Sequence, residues 1–309
     1  MATVATRAAD SAPTVAGRLL ALAGDSDPAL VQAKLRRFRQ LLLVYAATRS
    51  WLWLALAGTR APAGGEAIAV WLTLCCAAAF VTRFEAWAPR LALPALLVHY
   101  VALFPLADNH FHLEILAMAL LCVADRSRAG DDALALQGLQ WLTALVLLHA
   151  GLQKALHGHY LHGDFLAYMV GVQDRFALLF EWLLPASEVA RLQGYDPLRE
   201  GAGPYRVDSL AFVAVSNLVV AAELILPGLL LWRRTRGVAW VGALALVLGI
   251  QLGAREIGFA LLFSSLLLLF PSRDVLRRVL PFVIALCAWA LAAAFGIAPG
   301  RGLLDPGML

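Results

Sequence analysis

The chain of 309 residues is 61% hydrophobic and 15% charged, with a formal net charge of +4 and a mean hydropathy of +0.75. That balance excludes an ordinary soluble domain, and several apolar runs approach the ~20 residues a spanning helix needs. The positive charge comes largely from arginines flanking those runs, with no basic stripe of interleaved aromatics, so the sequence excludes nucleic acid as a partner.

Strand-like alternation is absent, and the Leu/Ala-rich composition favours helices over a barrel. The expected fold is all-α: a polytopic integral membrane helical bundle of about nine transmembrane helices. Cys75, Cys76, Cys122 and Cys287 all lie in apolar runs without CxxC spacing, so the expectation is free thiols and neither a disulfide framework nor a zinc site.

Taken in order, residues 1–39 read as a cytoplasmic N-terminal segment, and 40–309 as the transmembrane domain. Asp25-Ser-Asp-Pro28 has the form of a helix N-cap with Pro at the first helical position, so a helix is expected to run from Pro28 through Lys34, Arg36, Arg37 and Arg39 into the first span. Apolar segments fall at about 40–58, 66–82, 91–107, 111–124, 133–156, 208–231, 237–253, 256–271 and 278–297. The fourth is short and carries His112 and Glu114 in its first turn.

With the N-terminus inside, sixteen of the 25 Lys and Arg fall on inner connections and six on outer ones. By the positive-inside rule this asymmetry implies nine crossings with the N-terminus cytoplasmic, a multi-pass protein of the cell inner or plasma membrane. Asp108 to His112, Lys154 to His162 and Arg255-Glu256 then share the outer face, which suggests a pocket opening outward. Residues 164–207 are the long non-spanning outer segment. Asp164 to Leu184 is expected as amphipathic helix along the membrane surface, and 193–204 as loop, a lid or a mere connection.

Chemistry concentrates in Leu147 to Gly163, where an apolar helix gives way to a histidine-rich turn with Lys154 at the changeover. Only Lys34 and Lys154 among the 25 basic residues are lysines, and a lysine, unlike an arginine, can lose its proton in an apolar site. Lys154 and His157 share a face at i and i+3, whereas His149 falls on a different one. The alternative is a lysine that snorkels to the interface beside capping histidines.

His110 and Glu114 stand at i and i+4, either as a pair orienting an imidazole or as a local ion pair at a helix start. The His110-x-His112 and His157-x-His159 pairs point apart on a helix, so no metal is expected. Glu223 lies deep in its run and must be protonated or paired, with Arg49 the partner best matched in depth. Gln251 and Arg255, at i and i+4, could line the outer cavity. No phosphate-binding loop, nucleophile elbow, dinucleotide fingerprint or HExxH is present.

Ala150-Gly-Leu-Gln-Lys-Ala-Leu followed by Tyr160-Leu-His-Gly163 resembles the signature of the HTTM (horizontally transferred transmembrane) family, the membrane domain of vitamin K-dependent gamma-carboxylase. Asn109-His-Phe-His-Leu113 resembles the family's Asn-His-aromatic-Leu stretch, and Glu223-Leu-Ile-Leu-Pro227 before Arg233 to Arg236 its acidic-apolar-Pro helix. The resemblance covers about residues 35–275. It implies carboxylase-like, quinol-dependent chemistry, with Lys154 as the base that deprotonates a reduced quinone of menaquinone or vitamin K type and His110 as a supporting catalytic residue.

Asn109, His157, Glu223, Gln251 and Arg255 are the expected substrate-binding residues, with membrane lipid or quinone as partner and no protein partner identified. The alternative is a non-catalytic membrane protein that binds a lipid, a quinone or a partner protein, with Lys154 as a pocket or interface cation.

Overall fold

The computed structural model describes residues 27–57, 64–104, 109–123, 130–194, 205, 207–254, 256–300 and 304. Among them the chain is all-helical: α1 (Pro28–Ala57), α2 (Gly65–Ala79), α3 (Ala88–Leu103), α4 (Asn109–Val123), α5 (Asp131–His157), α6 (Asp164–Val172), α7 (Asp174–Phe180), α8 (Ala186–Gln193), α9 (Leu210–Leu231), α10 (Arg236–Ala254), α11 (Ile257–Leu267) and α12 (Leu276–Ala294). Four of these, α5, α9, α10 and α12, are long and apolar enough to cross a membrane, and α2, α3, α4 and α11 are shorter apolar helices.

Each helix starts and stops where local chemistry dictates. The Asp27 carboxylate accepts from the Ala29 amide at 3.0 Å, with Pro28 in the first turn, as the sequence predicts. Gly130 and Gly158 bracket α5 at φ 102° and 73°, left-handed values that cost glycine nothing. Ser209 caps α9, its hydroxyl accepting from the Phe212 amide.

The hub of the bundle is α1. Residues 38–50 are buried on every side, the polar Arg39, Gln40, Thr48, Arg49 and Ser50 included, and α1 packs against α2, α5, α11 and α12. Of the basic residues in its first half, Lys34 and Arg39 are buried. Arg39 lies between Glu85 (3.3 Å) and Asp132 (3.4 Å), and Arg36 reaches Glu85 at 2.9 Å. The Lys34 ammonium and the Gln140 amide both donate to the Leu269 carbonyl just past α11, at 3.1 and 3.0 Å. Lys34 and Arg39, read from sequence as flanking charges, are therefore core residues that tie α1 to the α2–α3 turn, to α5 and to the end of α11.

The 164–194 stretch departs from one surface helix. It folds as three short helices, α6 to α8, around their own core of Ala167, Val170, Phe176, Phe180 and Leu192, with Phe212 of α9 beneath. Residues 195–204, expected as loop, lie outside the described residues. The four cysteines are free thiols.

Candidate functional site

The closest partnership in the bundle is between α5 and α9, and Gly151 makes it possible. A Cβ on Gly151 would stand 3.0 Å from the Glu223 Cβ and 3.1 Å from its carbonyl carbon, so only glycine lets α9 come this close. One turn further along α5, the Lys154 side-chain nitrogen donates to a carboxyl oxygen of Glu223. The Lys154 side chain is 18% exposed and that of Glu223 3%, a pair held largely away from water.

Past Gly158 the chain turns sharply, and α9 fixes that turn from outside. Ser216 donates to the Tyr160 carbonyl at 2.5 Å, and the Asn217 amide to the Leu161 carbonyl at 2.9 Å. Gly163, at φ 79°, ends the turn against Phe212. The anchored turn lays the Tyr160 ring 5.1 Å from the Lys154 nitrogen, with Phe165 stacked on it at 4.5 Å. Burial, reinforced by the Glu223 and Glu256 carboxylates, raises the Tyr160 phenol above its usual value, so it is a hydrogen-bond donor at neutral pH.

Two cavities meet at this point. A polar chamber of about 920 Å³ is walled by α4, α5 and the start of α11, and three imidazoles, His110, His112 and His149, line it with Gln153 and Lys154. An apolar chamber of about 430 Å³ lies between α9, α10 and the α6–α7 cap, lined by aromatic and aliphatic side chains such as Phe165, Met169, Phe176 and Phe180. Lys154, Tyr160, Glu256 and Phe259 belong to both walls. Gly249 of α10 lines the apolar chamber with nothing within 4 Å of where its Cβ would stand.

The structure thus brings Lys154, His110 and Glu223 to one place. His157, expected beside Lys154, is exposed past the chamber rim and lines neither cavity. Gln251 lines neither cavity and has both amide atoms buried without a partner among the described residues. Arg255 and the side chain of Asn109 lie outside the described residues.

One pairing differs from expectation. Arg49 does not reach Glu223 but binds Glu114 at 2.8 Å, with its guanidinium 3.6 Å above the Phe111 ring. Glu114 is thereby tied to α1.

His149, expected on a face away from Lys154, borders the same chamber, because the space is wide enough to take side chains from both sides of α5. The spacing of Val146, His149, Ala150 and Gln153 at i, i+3, i+4 and i+7 carried that signal. Tyr160 and Phe259 had no local signal, since only the fold brings them to Lys154. No group of three His, Cys, Asp or Glu placed to hold a metal ion occurs among the described residues.

No protein-family model matches the chain, and neither a curated protein nor a solved structure matches it.

Proposed function

We propose that this integral membrane protein binds a lipid-soluble quinol and uses Lys154 as the base that takes the proton of its hydroxyl. The observation that carries the reading is the position of Lys154, paired with Glu223 behind it, in the wall common to an imidazole-lined chamber and an apolar one. An amphiphile with a polar ring and a hydrocarbon tail matches that division, its ring toward His110 and Lys154 and its tail among the aromatics of the cap.

In the step itself the Lys154 nitrogen accepts the hydroxyl proton and the quinol becomes a quinolate. The ammonium formed rests against the Glu223 carboxylate, whose charge is already in place where positive charge develops. His110, buried in the chamber wall, and the protonated Tyr160 phenol are the donors suited to the quinolate oxygen.

The resemblance of the Gly151–Lys154, His110 and Glu223–Pro227 stretches to the HTTM domain of vitamin K-dependent gamma-carboxylase supports the same chemistry. The placement that accompanies it is a nine-span protein of the inner or plasma membrane, with the N-terminus cytoplasmic and the chambers near the outer face.

A second reading is favoured by the ion pair: Lys154 as a fixed pocket cation in a protein that binds a lipid or quinone without turning it over. Substitution separates the two. Under the first, Lys154→Ala abolishes quinol-dependent turnover and Lys154→Arg does not restore it, because guanidinium cannot act as a base. Under the second, Lys154→Arg retains ligand. A lipid extract of the purified protein without any quinone, together with no quinone binding on addition, overturns the first and leaves the second only with a ligand other than a quinone.

A further inference from the structure

The polar chamber owes two of its imidazoles to the first turn of α4, a short helix end of the kind that frays unless it is tied down. Every described side chain of that turn is engaged in a definite direction. His110 and His112 line the chamber, and His112 meets the Tyr100 hydroxyl of α3 at 2.8 Å. Phe111 turns the other way, beneath the Arg49 guanidinium at 3.6 Å and edge-on to His99 of α3 at 5.5 Å. Glu114, wholly buried, completes the turn by binding Arg49 at 2.8 Å.

One side chain of α1 therefore holds α4 at two positions three residues apart, Phe111 by the face of its guanidinium and Glu114 by close charge pairing. A planar guanidinium can do both at once, whereas an ammonium cannot. Because α1 is immobilised on all sides by the core, Arg49 is a fixed point rather than a mobile surface charge.

We infer that Arg49 is a positioning residue for the chamber: through Phe111 and Glu114 it sets the rotation of α4, and so keeps His110 and His112 in the chamber lining. This inference rests on the reading of the chamber as the reaction site only for what the positioning serves.

The test compares carbethoxylation rates of individual histidines by diethyl pyrocarbonate, read by mass spectrometry on the purified full chain in detergent. Arg49→Met with Glu114→Met removes both charges together, so no buried charge is stranded. Arg49→Lys keeps the charge and loses the flat contact with Phe111.

With the clamp gone, His110, which is 7% exposed, reacts about tenfold faster as its turn opens locally, while the exposed His149 on α5 keeps its rate. Arg49→Lys gives an intermediate rate at His110. A folded form of either variant in which His110 keeps the wild-type rate overturns the inference, and so does an equal rise at His149, which signals general loosening. Unaltered quinol turnover in Lys154→Ala would count against the proposed function and leave the labelling result standing.

Discussion

The Lys154–Glu223 pair can be weighed by a double-mutant cycle whose size reports where the proton resides. Glu223→Leu strands the amine beside a dry helix–helix contact, and removing one partner of a buried ion pair costs about 3–5 kcal/mol. Lys154→Met strands a carboxyl that is 3% exposed, and that group takes up a proton, so its cost falls nearer the ~1–3 kcal/mol of an unpaired buried polar group. The double variant leaves neither and should return close to wild type, since apolar replacement of a whole buried pair is often neutral.

An ion pair then yields a coupling energy of about 4–8 kcal/mol, the sum of the two single costs, whereas an uncharged amine hydrogen-bonded to Glu223 yields the ~0.6 kcal/mol, and at most ~1.7, found for hydrogen bonds within membranes. Equilibrium unfolding of the four proteins in mixed micelles, followed by helicity, measures the cycle. A large coupling favours the pocket-cation reading, and a small one the amine poised as a base. Additivity within about 0.5 kcal/mol would refute the pairing itself and remove the central feature of the site.

Three other outcomes are expected. Gly151→Ala pushes its Cβ against the Glu223 Cβ and carbonyl carbon, so α5 and α9 separate; the variant should lose about 1–3 kcal/mol in the same unfolding assay, and an unaffected midpoint would contradict the close approach. Gly249→Trp has open space to grow into and should fill the apolar chamber; a folded protein that binds long-tailed quinone about tenfold more weakly, yet short-tailed quinone as before, is the expected result, and equal binding of both would detach the tail from that chamber. In the cap, the hydrogen bonds from Arg191 lower the pKa of Glu188, whose contribution is present above the unfolded-state value and lost as pH falls through the folded one. Amide exchange in α8 should therefore quicken, relative to Glu188→Gln, only on the acid side of the ordinary carboxylate range of about 4.

How far the sequence carried can be judged from α5 and α9. Their expected limits, 133–156 and 208–231, stand beside Asp131–His157 and Leu210–Leu231, because Gly130, Gly158 and Ser209 are local stop and start signals that owe nothing to the rest of the fold. Lys154 was legible for a similar reason: its rarity and its place at an apolar-to-polar changeover are properties of the chain alone. The burial of Lys34 and Arg39 was not, since nothing in a basic stretch says that six other helices will pack on the helix that carries it. Nor did the short, polar-faced α8 carry a signal separating it from the expected loop region beside it.

The misassigned partner of Glu223 is the more instructive case. Counting inward from the start of its run places Glu223 at mid-membrane, level with Arg49 and below Lys154. That count assumes every run begins at the same height. The first two turns of α9 are instead spent outside the α5 contact, with Phe212 under the cap and against Gly163, and Ser216 and Asn217 holding the Tyr160–Leu161 carbonyls. Only after those contacts does α9 meet α5, and the residue that then faces Gly151 and Lys154 is Glu223. The same sequence of contacts explains why a turn of alternating glycine and histidine follows the lysine. A helix continuing past His157 would carry Tyr160 away along α5, whereas the left-handed glycines at 158 and 163 fold it back over the amine. The polar chamber, the apolar chamber and the ion pair between them are in this way consequences of one reversal of the chain, pinned by α9 and permitted by the missing side chain at Gly151.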